Sequence, residues 1–421
     1  MGFVKSQEMK LVSRFQNSLR EDSPHCTDKT QFCNNLITWP TFIFDFWNAQ
    51  YTLFWLAMFS DSLLAFKTTF VACFGMYCLI FAQLMIGDGR PFWDQTNVNS
   101  NGQCLYSYSS PNTRAFNMTF MFPYIIVIYL YKYNSKPNTF VNTISIVSLL
   151  MMWPWIYFES YVNGTAYIYQ NVCGQFCGFI YLVLVLTFDD EIHKYCEKVG
   201  FIVKSSRSRK FTVFFSCLAC FVFIIAYFMA ESDRRMPIYW IVNSVINEEA
   251  CQSESENRAS NNLGLNASFN NSSILFMLIG ANFGQSLTLN FVKPLHWSHT
   301  PLWKRLLRSV VGLILAIAFF KACSLLVTQT TDFATRYFFQ FLLPNLLCSL
   351  FFFGLYPIVC QKVGLVISAR DFDGENPAIA AKFKTSLISS SSVPSLMLTP
   401  TRSVRGQSER SLASGVQGLK V

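Results

Sequence analysis

Hydrophobic positions in this chain gather into blocks of membrane length, separated by polar connections. A helix needs ~20 mostly apolar residues to cross the hydrocarbon core, and about nine stretches between Trp39 and Val366 approach that length. They fall near 42–59, 68–87, 115–131, 138–158, 168–188, 211–229, 273–292, 306–327 and 337–360. Several carry proline or polar residues, among them Pro123, Pro154, Asn282, Gln285 and Pro344, which favours a packed bundle over isolated anchors. The expected fold class is therefore all-α, a polytopic membrane helix bundle of about nine transmembrane helices.

Polar residues orient this bundle. Short cytoplasmic loops carry the excess of Lys and Arg. Here Lys132 and Lys136, then Lys194, Lys198, Lys204, Arg207, Arg209 and Lys210, then Lys293, Lys304, Arg305 and Arg308 all fall on one side. The other side receives loops 88–114, 159–167, 230–272 and 328–336, and with them the glycosylation sequons at Asn163, Asn266, Asn270 and Asn271. That side is expected to be luminal, with the N-terminus on it and the C-terminus in the cytosol. One segment resists the scheme. Residues 3–22 form an amphipathic helix, Phe3, Val4, Leu11, Val12, Phe15 and Leu19 opposing Lys5, Lys10, Arg14 and Arg20, a pattern usual for a cytoplasmic membrane surface.

The chain divides into an N-terminal segment (1–38), the membrane domain (39–366) and a tail (367–421) rich in Ser, Thr and basic residues, expected to be disordered and cytosolic. Composition agrees: of 421 residues, 52% are hydrophobic and only 14% charged, a balance a soluble domain would struggle to hide from water. The net charge of +9 is accounted for by the loops and tails, so no nucleic-acid partner is expected. Most of the 14 cysteines lie in apolar blocks, and Cys217 and Cys220, midway along one, read as packing and not as a redox pair. Cys26, Cys33, Cys104 and Cys251 are luminal on this topology and able to pair. No cofactor and no metal site is expected: His193 beside Asp189, Asp190 and Glu191 reads as a solvated cytoplasmic loop.

Three polar segments share the luminal face: Gly87-Asp88-Gly89-Arg90-Pro91, then Pro111-Asn112-Thr113-Arg114, then Ser160-Tyr161 with Tyr167 and Asn171. In order, spacing and topology they resemble the three-part signature of the type 2 phosphatidic acid phosphatase superfamily, most nearly the sphingosine-1-phosphate phosphatases and glucose-6-phosphatases. The resemblance covers roughly residues 40–365, with a motif-bearing core at about 68–188. Gly280-Ala281-Asn282-Phe283-Gly284 and Trp303-Lys304-Arg305 are similar to that pattern too. It implies a phosphatase-like core in a secretory-pathway membrane, the endoplasmic reticulum or another, with a phosphorylated sphingolipid or phospholipid among the partner membrane lipids.

The identities depart from the signature where its chemistry resides. Gln83 stands at the family's lysine, seven residues before Arg90, and the two would share a face if the helix continued. Asn112 replaces a serine, Arg114 the proton-donating histidine, Tyr167 the nucleophilic histidine and Asn171 its orienting aspartate. Tyr167 and Asn171 keep the i, i+4 spacing of one helix face. Arginine does not release its proton at neutral pH, and a tyrosine with a pKa near ~10 and no activating base is a poor nucleophile. Losing nucleophile and acid together costs on the order of 10⁶ in rate. The remaining histidines do not substitute: His296 and His299 lie across the ~30 Å hydrocarbon core.

The expectation is a catalytically inactive phosphatase-like protein that binds a phosphorylated lipid or acts as a scaffold. Arg90 and Arg114, with Gln83, Asn112, Thr113, Tyr161, Tyr167 and Asn171 around them, form a set able to hold a phosphate. Alternatively, the two arginines pair with Asp88, Asp94 or Glu159 and lock the loops. An active lipid phosphatase with diverged motifs and a transporter or channel, for which Asp45, Asp61 and Lys67 are the ionisable candidates, are the competing classes.

Overall fold

A computed structural model describes residues 8, 10–13, 46–60, 62–94, 108–132, 139–202, 263–291, 301–325 and 337–365. Among these all regular structure is helical: α1 (Phe46–Phe59), α2 (Ser62–Ile86), the single turn α3 (Pro91–Asp94), α4 (Thr113–Ile126, continued as a π-turn over Val127–Lys132), α5 (Thr139–Val162), α6 (Ile168–Thr187), α7 (Asp189–Ile202), α8 (Leu263–Phe291) and α9 (Leu302–Leu325). A last helical run joins the π-turn Tyr337–Leu342, α10 (Leu343–Leu350), the π-turn Phe351–Leu355 and α11 (Tyr356–Lys362). Four helical stretches, Ser62–Asp94, Ile168–Thr187, Leu302–Cys323 and Leu343–Lys362, are long and apolar enough to cross a membrane. Eight of the expected stretches coincide with helices. The other, 211–229, lies outside the described residues, as do His25, His296, His299, Asp45, Asp61, Cys26, Cys33, Cys104, Cys251, the Cys217/Cys220 pair and the tail.

Polar side chains inside these apolar helices silence themselves locally. Thr68 donates to Leu64 O (2.9 Å) and Thr119 to Ala115 O (2.8 Å), each one turn back along its own helix. A hydroxyl satisfied in this way needs no water, which is what a lipid-facing or tightly packed helix requires.

Two glycine seams bring helices together. Gly174 and Gly178 of α6 lie on α4: an added Cβ would stand 2.5 Å from Asn112 O and 2.8 Å from Phe116 O. Gly280 and Gly284 of α8 lie in the same manner against Leu346 O (2.4 Å) and Gly354 N (2.9 Å). Small residues four apart allow backbones this close approach, where dispersion and not water exclusion holds helices together. α8 also packs along α2, and α9 along α1. The aromatic core between them includes Phe54, Phe66, Phe352 and Phe353.

The two ends of the bundle carry different polar networks. At one end α1 finishes, α2 and α9 begin, and α6 passes into α7. Here Arg308 donates to Phe59 O (3.0 Å) and Ser60 O (2.9 Å), placing a cation on the last carbonyls of α1. Lys67 Nζ meets Asp189 Oδ1 at 2.6 Å, with side-chain exposures of 0% and 3%, and the Tyr124 hydroxyl donates to the same oxygen at 3.2 Å. This corrects the expectation of a solvated acidic loop. Asp189, Asp190 and Glu191 form the first turn of α7, where carboxylates favour the helix terminus. Asp189 turns inward onto Lys67, while Asp190 and Glu191 remain exposed. His193 Nε2 lies 3.4 Å from Glu197 Oε1, one turn further along α7, and no metal-binding group of side chains occurs among the described residues.

Candidate functional site

At the opposite end, α2 stops at Ile86 because Gly87 takes a positive φ of 61°, and its N–H closes onto Gln83 O (2.8 Å). The helix does not continue to Arg90, so Gln83 and Arg90 reach the site from different backbone geometries. Gln83 stays on α2 and donates to Pro111 O (2.6 Å) and Thr113 Oγ1 (3.0 Å). Arg90, buried on the following turn, donates to Thr165 O (2.8 Å) and more loosely to Tyr108 O (3.5 Å), with its guanidinium 5.9 Å from the Trp93 ring centroid.

Asn112 is the N-cap of α4. Its Oδ1 accepts from the N–H groups of Arg114 (2.8 Å) and Ala115 (3.2 Å), the donors a helix start leaves without an intrahelical acceptor. That cap aims Arg114 across to α5, where Nη1 lies 2.5 Å from Glu159 Oε1. Glu159 belongs to the last turn of α5 and not to the start of α6, since α5 runs on to Val162. Asn163 Nδ2 donates to the same carboxylate oxygen (3.0 Å) from a fully buried side chain. The sequon at Asn163 is therefore closed in the folded protein, its amide nitrogen committed inward. Asn266, Asn270 and Asn271 fall in the first turns of α8.

The chain reverses over 163–167, with Gly164 at φ 58°. Tyr167 caps α6 instead of lying on it, and Gln170 accepts its backbone N–H through Oε1 (2.9 Å). Asn171 follows on the first turn of α6, its N–H on Tyr167 O (3.2 Å). The Tyr167 hydroxyl donates to Asp94 Oδ2 (2.8 Å). Burial pushes the Tyr167 phenol well above its ordinary pKa, and the Asp94 charge and its hydrogen bond push it further. Gln170 Nε2 donates to Asp88 Oδ2 and Gly89 O, both at 2.9 Å, while the Tyr169 hydroxyl also donates to Asp88. Asn112 N–H closes the ring on Gln170 O (3.1 Å).

The three segments singled out in the sequence thus interlock: 83–94, 108–114 and 159–171. Two guanidiniums, Arg90 and Arg114, share the network with three carboxylates, Asp88, Asp94 and Glu159. Tyr161 stands at the edge, half-buried. Sequence reasoning missed Gln170 and Tyr169. Gln170 had a signal, a glutamine three residues after a helix cap, which is the capping-box spacing. Thr165 enters through its backbone carbonyl, which leaves no mark in the sequence.

A further member comes from the N-terminus. Glu8 stands near Ile168, the first residue of α6, and near Tyr161. Burial raises the Glu8 carboxyl above its ordinary value, the Ile168 backbone working the other way. One turn along, Val12 is buried at 2% exposure whereas Leu11 stands 55% exposed.

Comparison of the chain with protein-family models, curated proteins and solved structures finds no match.

Proposed function

We propose that this chain is a catalytically inactive, phosphatase-like integral membrane protein in which the motif positions serve as a clasp for the helix ends, so that the protein acts as a scaffold and not as a hydrolase. One observation carries the reading. The two positions where the resembled superfamily needs an acid and a nucleophile are each committed to a carboxylate, Arg114 to Glu159 and Tyr167 to Asp94. Arg114 holds its proton at any physiological pH. The Tyr167 hydroxyl donates a hydrogen bond to Asp94, and a carboxylate is too weak a base to deprotonate a phenol whose pKa burial and that charge raise, so the oxygen is not activated as a nucleophile.

The test is a trap for a covalent adduct. Full-length protein in detergent, quenched in acid after incubation with sphingosine-1-phosphate, phosphatidic acid or glucose-6-phosphate, is expected to show no phosphoryl group on Tyr167 by peptide mass spectrometry. A substrate-dependent phosphotyrosine at that position overturns the reading.

A second reading is non-hydrolytic binding of a phosphorylated lipid at this end, where Arg90, Arg114 and the start of α6 share one polar network.

A further inference from the structure

Thr68 and Thr119 settle their hydroxyls on their own helices, and Thr288 of α8 donates to Phe353 O (2.5 Å) and Gly354 O (2.8 Å), carbonyls of the π-turn Phe351–Leu355. Three side chains deep in the bundle behave otherwise. Thr69 on α2, Gln285 on α8 and Ser349 on α10 all have 0% exposure. The hydroxyls of Thr69 and Ser349, and both polar atoms of the Gln285 amide, have no hydrogen-bond partner.

These residues stand at one level of the bundle. The rings of Phe66 and Phe353 meet at 6.3 Å, and Thr288 bonds Phe353 O, which sets α2, α8 and the π-turn side by side at that height. One helical turn from each, in the direction of Gln83, come Thr69, Gln285 and Ser349. The glycine seam gives the same register: a Cβ on Gly280 would stand 3.0 Å from Ser349 Cβ, and one on Gly284 3.0 Å from Leu350 O. Each side chain also continues a buried stripe, Thr69 with Ala65 and Cys73, Gln285 with Met277 and Ala281, Ser349 with Asn345 and Phe353.

Buried polar groups without partners cost free energy, and membrane helices ordinarily bond such groups to one another. Four of these atoms on three adjacent helices call for an occupant. Its size is bounded by complete burial and by a seam too tight for a methyl group. Its chemistry follows from the set: an amide with donors and an acceptor, two hydroxyls able to do either, and no carboxylate to hold a cation. Water has that size and that dual character, and two to four polar partners hold it in place.

We propose that Thr69, Gln285 and Ser349 bind internal water, forming a hydrated layer between α2, α8 and α10. The site is separate from the clasp at the 83–94 end and stands whether or not that end binds lipid.

The experiment is X-ray radiolytic footprinting of full-length protein in detergent, in isotopically labelled water, read by peptide mass spectrometry. Radicals formed from bound water mark the side chains beside it. Phe353, one turn from Ser349, is compared with Phe120, which is as deeply buried but packs on Tyr181 of α6. Wild type is expected to carry several-fold more label on Phe353 than on Phe120, and Gln285→Leu should bring Phe353 down to the Phe120 level. Ser349→Ala, the smaller change, makes the same comparison should Gln285→Leu fail to fold. Equal labelling of the two phenylalanines in wild type overturns the proposal, because the layer is then dry. Phe353 label that survives substitution in a folded variant overturns it too, since the water is then held elsewhere.

Discussion

Asp189→Ala is expected to cost about 3–5 kcal/mol of stability, because it removes the counter-charge of a lysine with no exposed side-chain surface. Lys67 sits in the second turn of α2, and its ammonium and the Tyr124 hydroxyl both converge on Asp189 Oδ1. Without that carboxylate the ammonium must be desolvated uncompensated, lose its proton or drag water into the end of the bundle. The pair itself is not the source of the loss. Two charges taken out of water recover little more in mutual attraction than they forfeit in hydration, so replacing both is far milder than breaking one. Lys67→Met/Asp189→Leu should therefore regain most of the loss. Thermal unfolding in detergent of wild type, the single and the double variant checks this; a single variant as stable as wild type would mean that Lys67 is hydrated.

Arg114→Met is the second large effect, at the other end, again about 3–5 kcal/mol, since it strands the fully buried Glu159. Glu159 Oε1 would keep only the Asn163 amide, and Oε2 already lacks a hydrogen-bond partner. Arg114→Met/Glu159→Gln should recover much of the stability, because a neutral amide tolerates the site where a lone carboxylate does not. The contrast matters for function: if Arg114 were held ready for a ligand phosphate, its removal would weaken binding and leave folding largely intact. The same unfolding measurement on the three proteins separates the two, and a stable Arg114→Met protein would argue against the clasp.

The helices were legible in the sequence because an apolar run of membrane length leaves few alternatives, and eight of the expected stretches coincide with helices. The clustering of Gln83, Arg90, Asn112, Arg114 and Tyr167 was legible from the expectation that their three segments share one face of the bundle. The Arg114–Glu159 pair was one of the alternatives named from the sequence, while the other partners were less legible. The seven-residue spacing from Gln83 to Arg90 assumed a helix that Gly87 terminates by its positive φ. The i, i+4 spacing of Tyr167 and Asn171 assumed both lie within α6, where Tyr167 is the cap. Asp189 looked solvated because it begins an acidic run, and nothing local marks Lys67, over a hundred residues earlier, as its partner. Long-range ion pairs leave no period in a sequence. Asn163 shows the converse, a well-formed sequon whose amide the fold has already used.

Phosphate release from sphingosine-1-phosphate, phosphatidic acid and glucose-6-phosphate by purified full-length protein, beside a Tyr167→Phe/Arg90→Ala control, tests the central claim most directly. The clasp account predicts that wild type and control are alike, with no release above the protein-free reaction. Release by wild type that the control abolishes would contradict it, and would make Tyr167 or Arg90 a working part of a hydrolase.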